Sequence, residues 1–110
     1  MNFLMAFSAL SLVFLFGGSS AGAQTLSPAE QRGQTFMMAN CAKCHAIGKT
    51  GDSPLAIAPA FRTLHLKYSV ETLEKPLAEG IVTGHPNMPE FRLDPGQVRD
   101  VIAYLKSLER

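Results

Sequence analysis

Cys41-Ala42-Lys43-Cys44-His45 holds both cysteines of the chain, two thiols three residues apart with an imidazole directly after the second. That order suits covalent capture of a c-type haem. The thiols can add across the two vinyl groups of a porphyrin as thioethers, and the adjacent histidine can reach the iron from the same side of the ring. A helical turn would bring the three together, because residues i and i+3 share a face and i+4 lies beside them. Three other chemistries use similar residues. A redox-active dithiol of the thioredoxin kind follows a strand in a βαβ unit, and no strand run is evident after residue 24. A structural zinc site needs four ligands, and beyond Cys41, Cys44 and two of His45, His65 and His85 there is no second Cys or His pair of the kind zinc modules show. A simple disulfide across so short a separation is strained.

A haem iron held by His45 has a second axial position. Gly84-His85-Pro86-Asn87-Met88-Pro89 is the candidate segment for it: stiffened by prolines and poor in helix formers. Met88 is the favoured candidate, because Pro86 stiffens the chain just after His85 while Met88 lies nearer the middle of the loop; its soft, neutral thioether would favour ferrous iron and raise the reduction potential. His85 is the alternative on the same loop and would lower it. Met37 and Met38 read as packing residues on a helix, and His65, within an apolar piece from Phe61 to Leu66, as a packed or surface histidine.

Two helices bracket these residues with sharp starts. Ser27-Pro28-Ala29-Glu30 offers Ser at N-cap, Pro at N1 and Glu at N3, a capping box with its preferred proline. Ala29, Gly33, Phe36 and Met37 then share a face that runs into Cys41. Asp94-Pro95-Gly96-Gln97 repeats the device, followed by Val98, Val101, Ile102, Leu105 and Leu108 at helical spacing, for about four turns. Between them, Ser69 is expected to cap a helix over residues 70–80 that Pro76 kinks or restarts. Residues 47–59, with Gly48, Gly51, Pro54 and Pro59, read as a long loop, and a loop of that length in a small domain has something to wrap.

The first 23 residues carry no charged side chain, only the terminal amine. Met1 to Phe16 is nearly all apolar, Gly17-Gly18-Ser19-Ser20 breaks the run, and Ala21-Gly22-Ala23 gives a small-x-small cleavage pattern. About 15 apolar residues is short for a membrane span, so residues 1–23 are expected to be a signal peptide cleaved after Ala23, with retention as an anchor the alternative. All ten Lys and Arg and all nine Asp and Glu lie in residues 24–110, for a net charge of +1. Near-neutrality argues against nucleic acid and against a strongly anionic membrane surface. A single domain of this size has marginal surface-to-volume economy, which a large, flat apolar cofactor would offset.

The chain resembles the small soluble class I cytochromes c of the bacterial periplasm over nearly all of residues 24–110. The resemblance rests on Gly33 eight residues before Cys41, the Cys41 to His45 motif, Pro59, Met88-Pro89, and Val101-Ile102-Ala103-Tyr104-Leu105-Lys106. It implies an all-α cytochrome c fold, with crossing N- and C-terminal helices and with short helices and loops wrapped around one covalent haem c. Gly33 would lie at the helix crossing with Tyr104 packed there. The Pro59 carbonyl would accept a hydrogen bond from Nδ1 of His45, and Met88 would complete the iron ligation. Met37 stands where the family has an aromatic, Ala58 where glycine is common, and no Trp is available to a haem propionate, which leaves Arg62, Tyr68 or Thr83 for that contact.

The implied function is that of a monomeric, monohaem carrier, not an enzyme, passing single electrons between periplasmic redox partner proteins. Docking would use the exposed haem edge, bordered by Ala42, Lys43, Ala46, Ile47 and Lys49. Two alternatives use the same site: the electron-entry haem subunit of a larger dehydrogenase, and a haem domain that binds small ligands or acts as a peroxidase once Met88 is released.

Overall fold

In a computed structural model, the structure describes residues 11–15, 17, 25–81 and 88–110. The expected cleavage point after Ala23, His85 and Thr83 lie outside them. Residues 11–15 and 17 are irregular and exposed. No helix among the described residues is long and apolar enough to cross a membrane.

Both capping boxes form. Ser27 Oγ accepts from the Glu30 N–H at 3.2 Å and Glu30 Oε2 accepts from the Ser27 N–H at 2.9 Å, starting α1 (Pro28–Asn40). Before the last helix, Asp94 Oδ1 accepts from the Gln97 N–H at 2.8 Å and Gln97 Oε1 accepts in return at 3.1 Å. Between them come 3-10 helices over Phe61–Leu66 and Val70–Leu73, then α2 (Glu74–Glu79); α3 (Pro95–Ser107) closes the chain. The described residues include no strand.

The expected helix over 70–80 is therefore two pieces, a 3-10 turn and a short α-helix with Pro76 in its first turn, where a missing N–H costs nothing. Ser69 precedes the 3-10 turn without capping it: its hydroxyl binds the Glu71 carboxylate instead. Residues 47–59 form no helix, as expected.

The core is made where α1 and α3 cross. A Cβ added to Gly33 would overlap the backbone carbonyl of Asp100 and stand 2.8 Å from Tyr104 Cβ, so only glycine allows this approach. Val98, Val101, Ile102, Tyr104, Leu105 and Leu108 are buried along α3, against Met37 of α1 and against Leu64, Val70 and Leu93. Tyr104 Oη donates to the Ile47 carbonyl at 2.7 Å, which fastens the loop that follows the cysteine motif to α3. Arg32 and Asp100 add an ion pair at 3.0 Å across the crossing. Met38, expected to pack, is 61% exposed: it lies one position, about 100° of helix, beyond the buried Met37.

Outside the core, Lys106 Nζ of α3 sits 2.7 Å from Glu71 Oε1. The Lys106 ammonium, with help from the Ser69 hydroxyl, draws the Glu71 carboxyl down from its ordinary 4.5 to about 2. A carboxyl with a depressed native value binds fewer protons folded than unfolded, so its contribution is whole above about pH 4.5 and lost as the pH falls toward 2. Two outcomes follow. Thermal unfolding of Gly33→Ala is expected to show a loss of about 3 kcal/mol, at the upper end for overpacking because the clash is with backbone. Acidification from pH 5 to pH 2 should lower the melting temperature of Glu71→Gln less than that of the wild type, the two curves converging at the acid end.

Candidate functional site

The Cys41 to His45 turn is built by the end of α1. Cys41 is its C-cap, with its N–H on the Met37 carbonyl at 2.8 Å. The chain then makes one further helical turn: the Cys44 and His45 N–H groups both bond the Cys41 carbonyl, at 3.2 and 3.0 Å. This is the i, i+3, i+4 arrangement that gathers two thiols and an imidazole on one side. The following loop folds back over the turn. The Leu55 N–H bonds the Cys44 carbonyl at 3.1 Å, Ser53 Oγ accepts from the Ala46 N–H at 3.0 Å, and the Phe61 N–H bonds the Ala46 carbonyl at 3.0 Å.

His45 Nδ1 lies 2.8 Å from the Pro59 carbonyl oxygen. A carbonyl only accepts, so the shared proton sits on Nδ1, and in the neutral ring Nε2 is left with a bare lone pair. An imidazole in this tautomer is set to bind a metal, with the carbonyl raising its basicity. The ring is also stacked on Phe61, with centroids 4.5 Å apart and 27° between the planes.

Cys41, Cys44, His45, Pro59 and Met88 all line one cavity of about 530 Å³, within the range of small-molecule and cofactor sites. Cys41 to His45 come from the turn after α1, Pro59 from the loop, and Met88 from the segment leading to α3. Gly80 ends α2 at φ +111°, and a Cβ there would run into the Glu90 carboxylate. Just beyond, the Leu93 N–H bonds the Leu77 carbonyl at 2.8 Å. That bond sets the segment from Met88 to Leu93 beside α2. The remaining walls are mostly apolar, from residues such as Phe36, Leu64, Leu77 and Phe91, with Asn40, Lys43 and Tyr68 the polar exceptions.

Both cysteines are free. Burial pushes the Cys41 thiol up to about 11, so it is a thiol at neutral pH. A redox-active dithiol calls for the reverse, a thiolate stabilised by nearby positive charge or a helix N-terminus, and Cys41 stands at a helix C-terminus. An apolar cavity, two thiols one turn apart, an imidazole with its outer nitrogen already fixed and a thioether on the same cavity are the donors a covalently held haem requires. The residues fit that group.

The rim differs from expectation. Ala46 is buried, Ile47 packs on the core, and Lys49 Nζ reaches the Arg110 carbonyl at 3.1 Å. Of the expected border only Lys43 lines the cavity. Leu55 and Ile57, the latter 68% exposed, stand there as well and carried no signal in the sequence beyond their place in a long loop. Tyr68 lines the cavity; Arg62 does not, and its Nη1 is buried without a hydrogen-bond partner among the described residues. His65 is exposed and away from the cavity walls.

Such a fold around such a cavity defines a haem protein of the c type, and comparison with known proteins agrees: the chain belongs to the cytochrome c family, which it matches over residues 30–109. It is 34% identical over 99 residues to a cytochrome c6 from Nostoc sp., covering 84% of this chain and 80% of that one. It is 32% identical over 78 residues to a cytochrome c-553-like protein from Synechocystis sp., covering 70% and 67%. No solved structure matches at the same stringency. Membership brings a covalently bound haem c, and the chain is a monohaem electron carrier of all-α fold.

Proposed function

We propose that Cys41 and Cys44 hold the haem as thioethers, that His45 and Met88 are the two axial ligands of its iron, and that Pro59 fixes the His45 ring. The single observation that carries this is the one cavity shared by the Cys41 to His45 turn, its imidazole already hydrogen-bonded to Pro59, and Met88. Residues 1–23 are an export signal cleaved after Ala23, and residues 24–110 work in the periplasm as a monomer. There the protein passes single electrons between a donor and an acceptor protein and catalyses no reaction of its own.

Haem c supplies a one-electron ferric/ferrous couple. The chain's residues keep the couple simple. His45 is held in one tautomer and one orientation, so it needs no rearrangement as charge changes. Met88 offers a neutral thioether, which favours the reduced state and raises the potential. The largely apolar walls would limit water at the haem, and with His45 and Met88 both bound to the iron no position would be left for oxygen or peroxide. Leu55 and Ile57, exposed beside Lys43 at the mouth, give a partner a small apolar contact of the kind transient redox encounters use.

Met88→Ala is expected to abolish the sulfur-to-iron charge-transfer band of the oxidised protein and to lower its reduction potential. Carbon monoxide should bind the reduced variant and leave the reduced wild type unchanged at neutral pH. An unaltered spectrum in the variant would remove Met88 from the ligand set. Rapid carbon monoxide binding by the wild type would favour a ligand-binding or peroxidase domain over a carrier.

A further inference from the structure

The torsion that turns a histidine ring about its Cβ–Cγ bond has broad, shallow wells, so the side chain's own preferences do not fix the plane of the imidazole. The Pro59 carbonyl holds one point of the ring, Nδ1, at 2.8 Å. A single hydrogen bond leaves the ring free to rock about the line joining Nδ1 to its acceptor. Phe61 blocks that motion from one face, its ring 4.5 Å from the His45 ring and 27° from parallel, within the range of favourable aromatic pairs.

Phe61 is itself held firmly. Its N–H bonds the Ala46 carbonyl at 3.0 Å, so the backbone beside the stacked ring is joined to the residue next to His45. It begins the 3-10 helix over Phe61–Leu66, whose start is tied by Thr63 Oγ1 donating to the Ala60 carbonyl at 2.7 Å. Leu64 of that helix is buried in the core at 6% exposure. Residues 59–61 thus supply both restraints on the imidazole, an edge restraint from Pro59 and a face restraint from Phe61, through one anchored stretch of chain.

We propose that Phe61 is a positioning residue that sets the rotational angle of the His45 plane at the iron, an inference that rests on His45 being the axial ligand proposed above. The plane of an axial imidazole decides which iron d orbital it overlaps. In the oxidised protein that angle governs how unpaired spin is spread over the porphyrin. Phe61→Leu keeps an apolar side chain but removes the flat face, whereas Phe61→Tyr keeps the face.

The test is proton NMR of the oxidised holoprotein, reading the order and spread of the four haem-methyl shifts, with the thermal midpoint measured alongside. Phe61→Leu is expected to change the methyl pattern, and Phe61→Tyr to restore that of the wild type. A lowered midpoint with an unmoved methyl pattern in Phe61→Leu would show that Phe61 is packing alone and would overturn the proposal. Cross-relaxation between the Phe61 ring protons and the His45 ring carbon protons in the reduced wild type gives a second readout that needs no variant. It is expected to be strong, and its absence overturns the proposal even if Phe61→Leu fails to mature. A wild-type protein with no imidazole-ligated, low-spin signature would instead remove the His45 ligation on which this inference rests.

Discussion

Two helix backbones in contact at Gly33 are the constraint from which the site follows. With no side chain at that position, α1 lies directly on the backbone of α3 at Asp100, and Tyr104 closes the crossing. The approach fixes where α1 ends and therefore where Cys41 begins the turn that presents Cys44 and His45. It also fixes α3, whose Val101 and Leu105 are at once core residues and cavity wall. A chain this short has little interior to spare. Its apolar residues serve the helix crossing first, and others, Phe36, Leu77 and Phe91 among them, line the cavity that suits a flat apolar cofactor.

The loop and the short helices act as a clasp around that cavity. Ser53, Leu55 and Phe61 each return a hydrogen bond to the turn after α1, while the Tyr104 hydroxyl and the Leu77 carbonyl tie neighbouring loops to α3 and α2. Most of these bonds engage backbone groups, so they depend on the path of the chain more than on side-chain identity. The consequence is a site whose imidazole is oriented by protein contacts alone.

The local signals were legible in the residues themselves, whereas the long-range contacts of Gly33 with Tyr104 and of His45 with Pro59 were expected only through the family resemblance. Ser27 and Glu30, or Asp94 and Gln97, announce a helix start because capping is a contact between residues three apart. Cys41, Cys44 and His45 announce their turn for the same reason. The apolar spacing picked out Val98, Val101, Ile102, Leu105 and Leu108, all of them buried, and left out Tyr104 and Ser107, which are buried as well. Ser69 misled because its hydroxyl had a nearby carboxylate, Glu71, to bind in place of the backbone, and Glu71 is in turn drawn to Lys106 on α3. Met38 and Ala46 went to the opposite side from the one expected because residue type does not say which face of a helix or loop meets the core. The Phe61 ring meets His45 across sixteen positions of chain, a separation that leaves no periodic trace, and only the folded structure brings it into view.

The most direct measurement of the central claim is the intact mass of the exported protein under denaturing conditions, followed by digestion to locate any added group. Covalent haem capture predicts the mass of the polypeptide from residue 24 plus one haem, with the addition confined to the peptide containing Cys41 and Cys44. A bare polypeptide mass from red, folded protein would show that the haem is held without thioethers and would contradict the account.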